Sequence, residues 1–196
     1  MEILAKLFGS NAKVKILRLF LFNPAKIFTL EEIAKKTKVS PAETKRELGH
    51  LVAGRFLKEK KILTKRGKVS NKKSYFLSED YPFIDTLRLL FNSEFFSNRR
   101  LIANRFKKCG RIKMLVISGA FVQRLDGPAD LLIVGDDLKR NLIDQAIKNL
   151  EAETGRELVY AVFDTSDFMY RYHSSDRFIR DLFEFEHERL VDKIAI

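Results

Sequence analysis

Closely spaced cationic side chains occupy the stretch between residues 60 and 73. They are Lys60, Lys61, Lys65, Arg66, Lys68, Lys72 and Lys73. Grouped ammonium and guanidinium groups bind the phosphates of a polyanion and release its counterions. The chemistry that these residues favour is therefore recognition of a charged polymer. A charge run alone is equally typical of a solvated surface, so the elements that carry it must decide between the two.

The residues just before this group predict a helix that starts at Pro41. Ser40 is a suitable N-cap, and Glu43 follows it at the spacing of a capping box. Leu48 and Leu51 recur at helical spacing and predict the buried side. We expect the other side to face a nucleic acid with the polar residues Thr44, Lys45, Glu47 and His50, supported by Arg46 at its edge.

The cationic group itself is predicted to lie on a β-hairpin. Two β-prone runs lie around Leu57–Thr64, which contains Lys60 and Lys61, and around Ser74–Leu77, and the other cations of the group lie between them. A polar turn that contains Gly67 separates the runs. The sequence therefore predicts a helix that starts at Pro41 and faces a nucleic acid, which we call the reading helix, followed by a hairpin with a cationic tip.

The net charge supports the division of the chain into a basic head and a body. Residues 1–78 contain 19 Lys and Arg against 6 Asp and Glu, or +13, whereas residues 79–196 contain 18 against 20, or −2. All of the surplus positive charge therefore lies in the first part. This asymmetry indicates a polyanion-binding head joined to a body with another task.

Several classes of protein are disfavoured by composition. Cys109 is the single cysteine, and His50, His173 and His187 are too scattered for a zinc site, so we expect no disulfide, metal or cofactor. No apolar run reaches the length of about 20 residues that a membrane span needs, and the first ten residues lack a signal-peptide pattern. We expect a cytoplasmic protein without a membrane partner.

The elements before the reading helix complete a recognisable order. Residues 9–22 predict a buried helix capped by Ser10 or Asn11, Ile27–Phe28 a short strand, and Thr29 with Glu32 the capped start of another helix. Helix, short strand, helix, turn, helix and hairpin is the order of a winged helix-turn-helix. Residues 10–78 resemble the winged-helix domain of small prokaryotic transcriptional regulators, such as the arsenic-repressor-like families, and the segment Thr29–Lys58 carries the resemblance.

The resemblance implies double-stranded DNA as partner, with the last helix in the major groove and the hairpin on the backbone or minor groove. The metal-sensing cysteines of some of those repressors have no counterpart here. A winged helix that makes only protein contacts is the alternative, and the seven cations of the hairpin argue against it.

An apolar-rich helical stretch, residues 81–108, connects the head to the rest of the chain. It is predicted to break near Phe95–Ser97. Its apolar face must pack against the C-terminal domain, against a second subunit, or both. We expect a homodimer, with Phe91 and Phe95 as candidate anchors of the interface.

Residues 109–196 predict an α/β domain, so the whole chain is predicted to be α+β, with domains at 1–80, 81–108 and 109–196. Two apolar strands are expected within residues 112–119 and 129–136, followed by a helix at 138–154, a strand at 157–163 and C-terminal helices. Strands this apolar are typical of a sheet that is covered on both faces.

This domain resembles a minimal nucleotidyltransferase. Ser118-Gly119-Ala120 stands at the family's strand–Gly-Ser motif and Pro128-Ala129-Asp130 at its Asp-x-Asp motif. The resemblance implies a glycine turn that admits a triphosphate and carboxylates that hold two magnesium ions. Glu157 is the nearest candidate for the third carboxylate, one pleat before the best register.

The chain departs from that pattern at two of these positions. Ala120 replaces the motif's serine and Pro128 its first aspartate, and proline has no side-chain oxygen for a metal. We therefore expect no catalytic residues, with Gly119, Asp130 and Glu157 left as a vestigial nucleotide site. An intact metal site would require a shift of register that lets Asp126 supply the missing carboxylate. Asp130 as a structural hydrogen-bonding group is the other interpretation.

A charged group in the C-terminal tail has two interpretations. Its members are Arg171, His173, Asp176, Arg177 and Arg180. They line a ligand pocket in one interpretation and form an ion-pair network at a helix junction in the other.

The function that the sequence favours is a DNA-binding transcriptional regulator. Its degenerate nucleotidyltransferase-like domain would serve in dimerisation or in sensing a small-molecule or nucleotide effector. An active nucleotidyltransferase with a nucleic-acid-binding head and a toxin–antitoxin component are the alternatives.

Overall fold

The computed structural model describes residues 3–63, 69–96, 99–122 and 127–194, without the side chains of 62–63, 69–72, 93–96 and 100. The chain is a mixed α+β protein, as predicted. The helices are α1 (Ile3–Phe8), α2 (Asn11–Leu21), α3 (Leu30–Thr37), α4 (Pro41–Ala53), α5 (Ile84–Phe96), α6 (Arg99–Phe106), α7 (Arg140–Thr154), α8 (Thr165–His173) and α9 (Arg177–Glu184). The strands are β1 (Phe28–Thr29), β2 (Leu57–Leu63), β3 (Val69–Leu77), β4 (Arg111–Ile117), β5 (Leu131–Asp136), β6 (Tyr160–Asp164) and β7 (Glu188–Asp192).

The chain forms two compact units. The first comprises Met1–Glu94 with Glu151–Arg156, and the second comprises Phe95–Leu150 with Glu157–Ile196. The predicted connecting segment 81–108 is thus divided. Phe91 of α5 is buried in the core of the first unit, whereas Phe106 of α6 is buried in the core of the second. Within the described ranges, no helix combines the length and apolar character that a membrane crossing requires.

In the first unit, side-chain caps fix the starts of three helices. Ser10 accepts a hydrogen bond from the backbone N–H of Lys13 at the start of α2. Thr29 and Glu32 form the predicted capping box of α3. Ser40 caps α4 through the N–H of Glu43. Each cap satisfies a donor that the first helical turn leaves without a partner.

The first unit also contains a three-stranded antiparallel sheet in the order β1-β3-β2. Its second hairpin strand starts at Val69, five residues earlier than the predicted Ser74. Pairing with β2 extends it, because Leu63 lies opposite Val69 in the ladder. The core against this sheet combines side chains of α2, α3 and α4, among them Phe20, Ile33 and Leu48.

A buried arginine is part of the same unit. Arg18 of α2 is 1% exposed, and its guanidinium lies 5.5 Å from the centroid of the Phe91 ring. Its Nη1 donates to the carbonyl of Glu153 at 2.8 Å. The carbonyls of the last helical turn lack intrahelical partners, so this bond satisfies one of those at the end of α7.

The second unit is built on a four-stranded sheet in the order β6-β5-β4-β7. β5 and β6 are parallel, and β4 is antiparallel to both β5 and β7. Alternate residues of β4 point into two cores. Leu115 packs in the core that α6 and α7 form, and Val116 packs in the core that α8 and α9 form. Coverage of both faces confirms the prediction from the apolar strands.

Two predicted details of this unit are wrong. Strand β6 begins at Tyr160, so Glu157 precedes it. The tail after α9 forms β7, an edge strand beside β4, where helix was expected. Pairing with a strand distant in sequence leaves little local signal.

Candidate functional site

Helix α4 presents its polar residues to both the core and the solvent. Thr44 is 0% exposed and Glu47 is 2% exposed, beside Leu48 at 0%. The prediction that Thr44 and Glu47 face outwards is therefore wrong. Thr44 lies four residues before Leu48, and Glu47 four before Leu51, a spacing that places each pair on one side of a helix. Neither side chain reaches the outer surface where a nucleic acid would bind.

Glu47 is instead the centre of a group of basic side chains. Its carboxylate lies 3.2 Å from Arg46 Nη2, 3.5 Å from His50 Nδ1 and 3.6 Å from Lys13 Nζ. Burial raises the pKa of Glu47, but the hydrogen bonds from Arg46 and Ser10 and the charge of Lys13 together hold it below its ordinary value. The carboxylate is therefore charged at neutral pH and orders two side chains of the helix surface.

The outer face of α4 carries three cationic or ionisable side chains. Lys45, Arg46 and His50 are exposed, as predicted. The ammonium group of Lys45 lies in no ion pair within the described part of the chain. Arg46 and His50 remain 61% exposed while they contact Glu47.

Gly49 lies between these side chains and was not among the predicted site residues. Its φ is not positive, and a β-carbon added to it would find no atom within 4 Å. The fold therefore does not require glycine there, although glycine costs about 1 kcal/mol relative to alanine inside a helix. The sequence signal that could have singled out this residue is a glycine within a helical pattern.

The hairpin places part of the cationic group on two paired strands. Lys60 and Lys61 of β2 are exposed, and Lys61 lies opposite Lys73 of β3. The Nζ of Lys73 donates to Glu59 at 2.6 Å, which raises the pKa of Lys73. Lys65, Arg66 and Lys68 lie outside the described residues, as does the side chain of Lys72.

The residues of the vestigial nucleotide site lie at one end of the second sheet. Asp130 is 9% exposed, and both of its carboxylate oxygens accept backbone hydrogen bonds. Oδ1 accepts from Ala120 at 2.6 Å and Oδ2 from Val159 at 2.8 Å. The N–H of Phe121 donates to the carbonyl of Ser118. The turn's amides at 120 and 121 are thus used within the protein.

The structure brings Gly119 and Asp130 together but does not place Glu157 on the sheet. Gly119 has a φ of 55° and contacts the Asp130 carboxylate. Glu157 is exposed in the segment before β6, and the group from that segment that meets Asp130 is the amide of Val159. Asp126 lies outside the described residues.

Metal-binding chemistry finds no support in the described ranges, where no three His, Cys, Asp or Glu residues are grouped to hold an ion. The charged tail group is an ion-pair network: Arg171 pairs with Asp167 and Asp176, and Asp181 pairs with Arg177 and Arg180. These side chains neutralise each other at the junction of α8 and α9, which favours the second interpretation of this group.

Comparisons of the chain with protein-family models, with curated proteins and with solved structures found no match.

Proposed function

We propose that the chain is a DNA-binding transcriptional regulator with a winged helix-turn-helix head at residues 10–78. The helix α4 would enter the major groove of double-stranded DNA, and the hairpin β2–β3 would contact the phosphate backbone. The order of elements in the first unit supports this assignment. So does the excess of 19 basic over 6 acidic residues in residues 1–78.

The observation that carries the proposal is the outer face of α4. Lys45, Arg46 and His50 stand there, and the carboxylate of Glu47 is turned inwards and 2% exposed. The major groove is about 12 Å wide and admits an α-helix, whose basic side chains reach base edges and phosphates. Lys60 and Lys61 extend the positive surface along the hairpin.

For the second unit we propose a nucleotidyltransferase-like domain that has lost catalysis and serves in dimerisation or effector sensing. Asp130 supports the loss of catalysis because its two oxygens are engaged by backbone amides. A carboxylate that bridges magnesium ions must instead direct its lone pairs at the metals. Pro128 adds no ligand.

The active nucleotidyltransferase and the toxin–antitoxin component remain the alternative functions, but no observation in either unit favours one of them. A homodimer is part of the proposal, since helix-turn-helix proteins commonly bind two half-sites about 34–36 Å apart. Phe91 is not an anchor of that interface, because it is 1% exposed and packs against Phe8. The side chain of Phe95 lies outside the described residues.

The proposal is tested by selecting duplexes from a random-sequence pool with the full chain and measuring their affinity by fluorescence anisotropy. On the selected duplex, Lys45→Ala, Arg46→Ala and His50→Ala should each cost about 1–3 kcal/mol at a base-reading position and relax the preference for a base pair. Lys148→Ala, at an exposed lysine of the second unit, is the control. A pool that enriches no sequence, or variants that all behave like the control, would reject the proposal.

A further inference from the structure

A cationic cavity lies at the end of the second sheet opposite Gly119. Its volume is about 540 Å³. It is lined by Lys107, Lys108, Gly110, Arg111, Asp137, Lys139 and Leu142. In the pairing of β4 with β5, Arg111 and Asp136 mark this end and Ile117 and Leu131 the other. Six residues of strand separate the two ends by about 20 Å, so the cavity is distinct from the Asp130 turn.

The charges around the cavity are largely uncompensated. Four of its seven lining residues are basic and one is acidic. Arg111 pairs with that acid, Asp137, at 2.9 Å. The ammonium groups of Lys107, Lys108 and Lys139 take part in no ion pair within the described ranges. Like charges around one concave surface repel each other and raise the local concentration of anions.

The backbone at the mouth of the cavity is fixed by close contacts. The N–H of Lys139 donates to the carbonyl of Cys109 at 2.8 Å. A β-carbon on Gly110 would lie 2.7 Å from the carbonyl oxygen of Asp137, so the two loops pack directly on each other. Helix α7 begins at the next residue, Arg140, and its amino end adds partial positive charge. These contacts hold the backbone that carries the basic side chains of the cavity in place.

We propose that this cavity binds a small ligand that carries several phosphate charges, such as the polyphosphate group of a nucleotide. The volume falls within the range of about 300–1,000 Å³ that is usual for small-molecule sites. An extended strand of nucleic acid needs a longer groove with aromatic stacking platforms. None of the described residues that line it is aromatic, so the phosphates rather than a base provide the recognition.

The first test is titration calorimetry of the full chain with inorganic tripolyphosphate. One ligand should bind per chain, and the double substitution Lys107→Ala with Lys139→Ala should weaken binding at least tenfold. Lys148→Ala removes another exposed lysine, from α7 outside the cavity, and should change affinity less than twofold. The triple reversal of Lys65, Arg66 and Lys68 to glutamate should also have little effect, which separates this site from the proposed DNA surface.

A second variant tests the proposal in the opposite direction. Asp137 is the one acidic residue among the described residues of the lining, and it has a φ of 52°. Asparagine tolerates this left-handed conformation, so Asp137→Asn should keep the loop intact. It removes a negative charge and frees Arg111, and the affinity for tripolyphosphate should therefore rise about two- to fivefold. A gain of binding cannot come from a damaged fold.

Several results would overturn the proposal. They are the absence of binding at millimolar tripolyphosphate, equal losses in Lys148→Ala and the cavity variant, and loss of binding in the triple reversal of the hairpin. ATP that binds as well as tripolyphosphate would support recognition through phosphates. A DNA duplex that competes for the same site, and loses affinity with the double cavity variant, would assign the cavity to nucleic acid instead.

Discussion

A β-carbon on Gly119 would lie 2.2 Å from the Oδ1 of Asp130. The carboxylate of Asp130 therefore occupies the space that glycine leaves free at the turn after β4. From there it accepts hydrogen bonds from Ala120 and Val159 and joins two segments that are 39 residues apart in sequence. The residue pair that resembles a nucleotide site thus holds two segments of the second unit together, and we call this contact the Asp130 joint.

We first predict that Asp130 stabilises the second unit. Asp130→Ala leaves two amides without an acceptor and should lower the free energy of unfolding by about 2–4 kcal/mol. Asp130→Asn keeps one acceptor oxygen, so about half of that loss is expected. Urea denaturation followed by circular dichroism measures both changes. Asp164→Asn, at a helix start where the aspartate makes no capping bond, should stay within about 0.5 kcal/mol.

The same variants separate a joint from a catalytic site. Incubation of the unaltered chain with labelled nucleoside triphosphates and magnesium should leave no covalent label. A label that appears with the unaltered chain and disappears with Asp130→Asn, while the variant remains folded, would contradict the structural role and restore the enzyme hypothesis.

The features that the sequence predicted well are local. The caps at Ser10, Thr29 and Ser40 all formed, because each joins groups three residues apart. Strand β7 was missed, since its pairing partner β4 lies more than 70 residues earlier. The joint at Asp130 depends on Val159 in the same way. The residue types predicted that Gly119 and Asp130 would lie together. They did not predict which groups would donate hydrogen bonds to the carboxylate.

The errors on α4 have a different cause. Thr44 and Glu47 were assigned to the outer face because they are polar, although their spacing from Leu48 and Leu51 places them inside. Charged partners offset the burial of Glu47, and they include Lys13 on another helix. No local pattern contains that partner. Among the described residues, the buried hydroxyl of Thr44 has no hydrogen-bond partner.

Our second prediction concerns the pH dependence of Glu47. Its pKa is lowered in the folded chain, so the ionised carboxylate stabilises the fold above its ordinary pKa of 4.5, and this contribution is lost as the pH falls through the folded value. Glu47→Gln should therefore be less stable than the unaltered chain at pH 7, and the difference should shrink at pH 3.5. Urea denaturation at the two pH values measures it.

Glu43→Gln provides the comparison, because Glu43 is half exposed and its ion pair with Arg46 is long, at 3.9 Å. It should cost less than about 0.5 kcal/mol at either pH. A difference between Glu47→Gln and the unaltered chain that stays constant with pH would show that packing, and not ionisation, accounts for the loss.

Third, we predict that the hairpin contacts the DNA backbone. About four phosphate contacts give a slope near −3.6 for log affinity against log salt. Reversal of Lys65, Arg66 and Lys68 to glutamate should weaken binding to selected and unrelated duplexes alike, and flatten that slope. Anisotropy titrations at four salt concentrations measure both effects. Unchanged affinity would exclude the hairpin from the DNA surface.

Fourth, we expect a homodimer through exposed apolar side chains of the first unit. Leu7 and Leu89 are each 69% exposed. Light scattering at tens of micromolar should give about twice the chain mass of 22.8 kDa. Leu7→Glu or Leu89→Glu should shift the mass towards that of one chain, because a charge inside an apolar interface is costly. Gln145→Glu adds the same charge at an exposed polar position of α7, outside the first unit. A monomer before any substitution would remove the proposal.

Fifth, Gly49 should mark the closest approach of α4 to DNA. Alanine fits its surroundings and has the higher helix propensity, so Gly49→Ala should raise the free energy of unfolding by about 0.5–1 kcal/mol. If the outer face of α4 lies against the groove, the added methyl group should at the same time weaken binding to the selected duplex about three- to tenfold, and Gly49→Leu should weaken it further. Gln145→Ala, at an exposed position of α7, should leave DNA binding unchanged. A helix that enters the groove with this face cannot gain side-chain volume at its centre without moving away from the bases. If stability rises while the affinity for DNA stays constant, the DNA therefore binds another surface.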